Sequence, residues 1–115
     1  MNQLGQVGVE RDGHTVVVWF AGEMDVTNSD ELIGQAGDQA TNDVQRLILD
    51  LSGLQFLDSS GIRALVALVR RLSARGTVVT MVVPEESPIR RILEITRMEE
   101  IVPLFTSRAG AAETT

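Results

Sequence analysis

The sequence predicts an α/β domain, a mixed sheet of four to five strands with helices packed on it. Three observations predict it. Apolar runs at His14–Ala21, Arg46–Leu51 and Thr77–Val83 have strand length and composition. Stretches of helical period separate them, which implies parallel neighbours joined by right-handed crossovers. The Asp12-Gly13 pair marks a hairpin ahead of the first long run, which adds one antiparallel strand.

The elements follow in order. Val7 to Glu10 is a weak first strand, and Arg11-Asp12-Gly13-His14 is the hairpin turn. The run from His14 to Ala21 is continuous rather than alternating, as in a strand covered on both faces. Trp19 within it belongs to the core. Gly22-Glu23-Met24-Asp25 reads as a turn. A helix spans about Thr27 to Ala40, with Asn28 as its cap and Glu31 completing a capping box. Leu32, Ile33, Ala36 and Ala40 face the core. After the strand Arg46–Leu51 and a short loop comes the clearest helix, Ser59 to Arg75. Ile62, Leu65, Val66, Leu68, Val69 and Leu72 form its apolar stripe, and Arg63, Arg70 and Arg71 lie opposite. Gly76 is a natural residue to end it. Pro84 ends the strand Thr77–Val83, and Ser87-Pro88 caps and opens a last helix that buries Ile89, Ile92 and Leu93. Ile101–Phe105 is a short final strand. Residues 1–106 make one domain, and 107–115 a flexible, frayed tail of small polar residues.

The chain's 115 residues suffice for one self-standing core. With no cysteine, it has no disulfide and no thiol chemistry. Met1-Asn2-Gln3-Leu4-Gly5 carries no signal-peptide pattern, and the longest apolar run, Val16–Ala21, is too short for a membrane span. A cytoplasmic protein without membrane attachment is expected. A formal charge of −6, one Trp and no Tyr argue against direct nucleic-acid binding. An acidic balance would steer the domain toward a basic partner.

The chemistry concentrates at Asp58-Ser59-Ser60-Gly61, where the clearest helix begins. A helix start presents free backbone N–H groups and the positive end of the peptide dipoles. A phosphate there would be held by those N–H groups. Two readings compete: the hydroxyls cap a helix, or one of them accepts phosphate. Asp58 is a cap that also orients the hydroxyl, or a determinant for a kinase. Glu23 and Asp25 leave the same strand edge, which favours ligand and partner sites in open α/β sheets. They read either as a solvated turn or as an acidic part of a partner surface. Arg63, one turn beyond Ser59, is the residue best placed to touch a partner or a phosphate. Catalysis lacks its parts: His14 is the only histidine, and no Gly-x-Ser-x-Gly elbow or phosphate-binding glycine loop occurs. No cofactor or metal is expected.

Gly22-Glu23-Met24-Asp25, Leu47-Ile48-Leu49-Asp50-Leu51 and Phe56-Leu57-Asp58-Ser59-Ser60-Gly61 together resemble the STAS domain, and more narrowly the bacterial anti-sigma factor antagonists. Ile89 to Met98 is similar to the family's last helix. The resemblance runs from about Val7 to Phe105. It implies a STAS-like fold and a non-enzymatic protein that binds an anti-sigma factor when unphosphorylated, which frees a sigma factor for transcription. It implies that this partner is a serine kinase with a histidine-kinase-like ATPase fold, and that a PP2C-type phosphatase resets the switch. The family's phosphoacceptor follows the Asp, which places it on Ser59, with Ser60 as the fallback. Asp58, Ser60, Gly61, Glu23, Asp25 and Arg63 would then form the partner surface. The alternative within the family is a non-switching scaffold or a transport-complex subunit.

Overall fold

The structure, a computed structural model, describes residues 5–113. Residues 1–4, where no signal peptide is expected, and 114–115, at the end of the expected tail, lie outside the described residues. Five strands make one sheet in sequence order: β1 Gln6–Asp12, β2 Thr15–Met24, β3 Arg46–Leu57, β4 Val78–Val82 and β5 Leu104–Phe105. β1 pairs antiparallel with β2, and every other pairing is parallel. Four α-helices accompany it: α1 Ser29–Asp38, α2 Ser59–Ala74, α3 Arg90–Ile95 and α4 Arg108–Ala112. The expected mixed α/β sheet is present.

The main core lies between one sheet face and the crossover helices. Val16, Val18 and Phe20 of β2 and Leu47, Leu49 and Leu51 of β3 pack with Leu32, Ile33 and Ala36 of α1 and Leu65, Leu68 and Leu72 of α2. These positions recur every second residue on the strands and at helical spacing on the helices, so each element buries one face. Burial of that face is what holds α1 and α2 on the sheet.

β2 is not covered equally on both faces. Its inner residues are buried, whereas Val17 and Trp19 are half-buried on the other side. Trp19 therefore lies outside the main core. Its ring covers Gly8, where a Cβ would fall 2.0 Å from the indole. On this second face Ile48, Val82 and Ala111 form a small cluster with Val17 and Phe105.

Six local expectations are corrected. Gly22-Glu23-Met24 is strand, not turn. The strand kinks there: Gly22 has φ +85 and the register with β3 shifts on both sides of it, a β-bulge that glycine accommodates. The expected loop before Asp58 is also strand, because Ala21–Met24 supply Gly53–Leu57 with a parallel partner. The capping box at Asn28 does not form. Its side chain instead accepts from the Asp25 amide at 2.9 Å and donates to the Glu23 carbonyl at 2.9 Å, tying down the turn. Ser87 does not cap α3 directly; its hydroxyl accepts from Ile89 in a turn that precedes the helix. Finally, Arg108–Ala112 within the expected tail are helical as α4, with Ala111 fully buried. The expected Ile101–Phe105 strand is shortened to β5 Leu104–Phe105, and residues 101–103 instead form the turn that follows a 3-10 segment at Met98–Glu100.

Candidate functional site

β2 and β3 end side by side, with Met24 paired to Leu57. Asp25 and Asp58 thus leave neighbouring strands at the same carboxyl edge, one residue beyond that pair. The Asp58 backbone is extended, at φ −105 and ψ −174, the geometry of a helix N-cap. One carboxylate oxygen accepts from the Gly61 amide at 3.1 Å. The other accepts from the Val26 amide at 3.2 Å, in the turn after β2. Asp58 therefore caps α2 and also fastens the two loops of the edge together. Sequence reasoning finds the first role and misses Val26, whose partner lies 32 residues away.

Ser59 occupies the first position of α2 and is exposed; Ser60 follows and is half-buried. Neither hydroxyl has a hydrogen-bond partner among the described residues. The first-turn amides of Ser59 and Ser60 have no acceptor within the helix. Gly61 is buried because the helix start presses on the strand ends. A Cβ there would lie 2.4 Å from Leu57 Cδ1 and 3.2 Å from Met24 Sδ. Ser59 is thus the more accessible of the two hydroxyls, and Gly61 is the residue that lets α2 start this close to the sheet.

The acidic residues divide. Asp25 sits in the turn, and its carboxylate accepts from the Thr27 hydroxyl at 2.5 Å and the Thr27 amide at 2.9 Å. The Thr27 hydroxyl, then the Thr27 amide, hold its pKa below the ordinary carboxylate value. Glu23 lies within β2, across from Phe56, and its carbonyl rather than its carboxylate is engaged. Arg63 is exposed one turn along α2 and makes no ion pair among the described residues. It lines a hollow of about 330 Å³ with Val26, Ser29, Asp30 and Ser60. Apolar side chains also stand in the open nearby: Val26 is 74% exposed and Phe56 47%.

His14 lies just before β2, at the strand's opposite end, with Nδ1 2.9 Å from the Asp43 carbonyl oxygen. β2 is ten residues long, roughly 30 Å, so the imidazole is far from Ser59. Among the described residues, no group of three His, Asp or Glu side chains could hold a metal ion. No helix among them is long and apolar enough to cross a membrane.

Comparison with known proteins agrees with this architecture. The anti-sigma F factor antagonist of Paenibacillus polymyxa is 25% identical over 108 residues, 92% of this chain and 91% of that protein. The crystal structure of an anti-sigma factor antagonist from Mycobacterium paratuberculosis matches with a TM-score of 0.85 at 26% identity, covering 95% of this chain and 92% of that one. The anti-sigma factor antagonist SpoIIAA in its unphosphorylated form shares the fold, with a TM-score of 0.72 at 19% identity over 92% of this chain and 93% of that one. The STAS domain family model matches residues 6–111, which takes in β1 through most of α4. The chain belongs to the STAS domain family.

Proposed function

We propose that this chain is an anti-sigma factor antagonist that is switched off by phosphorylation of Ser59. Unphosphorylated, it binds an anti-sigma factor and so frees a sigma factor. The partner is a serine kinase of the histidine-kinase-like ATPase class, and a PP2C-type phosphatase restores the active form. The chain itself is not an enzyme, and it works in the cytoplasm. The observation that carries this reading is the position of Ser59: exposed, first in a capped helix, beside Asp58. The names of the relatives support the general role.

The physical account is local. The Asp58 and Asp25 loops are already joined through Val26, so the partner surface is built before binding. Exposed Val26 and Phe56 offer apolar contact, while Asp58, Ser60, Glu23, Asp25 and Arg63 offer polar contact; Gly61, itself buried, serves the surface by letting α2 start against the strand ends. Phosphate would add about −1.5 to −2 charges at a point already flanked by Asp58. A partner carboxylate docked there would be repelled. Because Ser59 is exposed, the added group needs no rearrangement of the core.

The test mixes the protein with its anti-sigma kinase and ATP and maps phosphate by mass spectrometry. Phosphate is expected on Ser59 and should be absent from Ser59→Ala. Phosphate on Ser60 alone would move the acceptor. None on either serine would contradict the switch and favour a non-switching scaffold or transport-complex subunit.

A further inference from the structure

We propose that Arg63 holds the phosphate of phosphorylated Ser59 within the same chain. The inference rests on the Ser59 reading above and adds a positioning residue to it. Ser59 and Arg63 are four residues apart on α2, both exposed. That spacing puts their side chains one above the other on one helix face, about 6 Å apart along the axis. The order is the favourable one, with the anion N-terminal to the cation. Arg70, the next arginine on the helix, lies about 16 Å along the axis from Ser59, beyond direct reach.

Among the described residues, nothing competes strongly for Arg63. α2 carries no acidic residue between Ser59 and Ala74. The Asp58 carboxylate is occupied by the Gly61 and Val26 amides and makes no ion pair with Arg63. Asp30 borders the same hollow as Arg63, yet no ion pair joins them. A phosphate dianion with three acceptor oxygens would outbid that single carboxylate, and the planar guanidinium fork fits it in a bidentate way. Arg63 therefore turns from a free cation on the partner face into half of a closed Ser59–Arg63 pair. Phosphorylation would then both add negative charge and remove a positive group from that face.

The experiment installs phosphoserine at position 59 during synthesis, by an expanded genetic code, so no kinase is needed. The second ionisation of the phosphate is followed by phosphorus NMR in otherwise wild-type protein and in Arg63→Ala, Arg63→Lys and Arg70→Ala. With Arg63 present, the midpoint is expected about 0.4 pH unit below that of Arg63→Ala. Arg63→Lys should recover part of the difference, and Arg70→Ala should behave as wild type. Salt near 1 M should narrow the gap. Equal midpoints with and without Arg63 would overturn the proposal and leave the Ser59 switch untouched. Conversely, a kinase that fails to modify Ser59 would contradict the switch without altering this titration.

Discussion

Asp58 joins two loops through one carboxylate, and this makes it the most consequential side chain of the site. Its two oxygens accept from Gly61 at the start of α2 and from Val26 in the turn after β2. Asp58→Ala should destabilise the domain by about 1–2 kcal/mol, the usual cost of a lost cap. Asp58→Asn should lose less, because the amide oxygen still accepts. Urea unfolding decides it: an Asp58→Ala midpoint equal to wild type would contradict the capping account. At Gly61 the constraint is steric. Gly61→Ala forces a methyl against Leu57 and Met24, and about 1–3 kcal/mol of destabilisation is expected by the same assay. The run Asp58–Gly61 could be read from sequence because its cap and helix start span only a few residues. Val26 could not, since nothing local links it to a residue 32 positions on.

α2 shows why some elements were readable and others not. Its apolar stripe, the Asp58 cap and the Gly76 stop, at φ +90, all act within the helix and its flanks. Ser52–Leu57 instead reads as a loop because Ser52, Gly53 and Gln55 break the apolar pattern. It is a strand because β2 lies beside it, a fact of tertiary pairing. α4 is a similar case, since Arg-Ala-Gly-Ala-Ala has no helical stripe. It is held by long-range contacts: Arg108 donates to Asp50 at 2.5 Å and to Glu10 at 3.0 Å. Asp50 is only 5% exposed. Burial pushes its pKa up, but bonds from Ser52 and Arg108 outweigh burial and leave it below the ordinary 3.8. A depressed carboxylate stabilises the fold above its unfolded value. That contribution is therefore present above pH 3.8 and is lost as pH falls through the lower native value. Arg108→Ala should cost about 1–3 kcal/mol at neutral pH, by leaving a buried acceptor underpaired. Its stability relative to wild type should recover as acid protonates Asp50. A deficit that stays constant between pH 7 and pH 2, read by thermal unfolding, would contradict the pairing.

For the whole molecule, the helices α1 to α3 and the main core lie on one side of the sheet, and Ser59, the proposed phosphoacceptor, stands at its rim. Adding a group to an exposed first-turn serine changes charge and shape without entering that core. Amide NMR shifts caused by phosphorylation should cluster at residues 24–30 and 56–64 and leave β1, β4 and α4 in place. Widespread shifts would point to a conformational switch instead. With a formal charge of −6 before modification, the domain becomes more acidic still, so its effect on a partner should weaken with salt. The most direct measurement is affinity for the anti-sigma factor before and after treatment with kinase and ATP, for wild type and Ser59→Ala. Wild type should bind, then lose at least tenfold in affinity, a change of about 1.4 kcal/mol. Ser59→Ala should bind equally before and after. Loss of binding by treated Ser59→Ala, or undiminished binding by wild type phosphorylated at Ser59, would contradict the account.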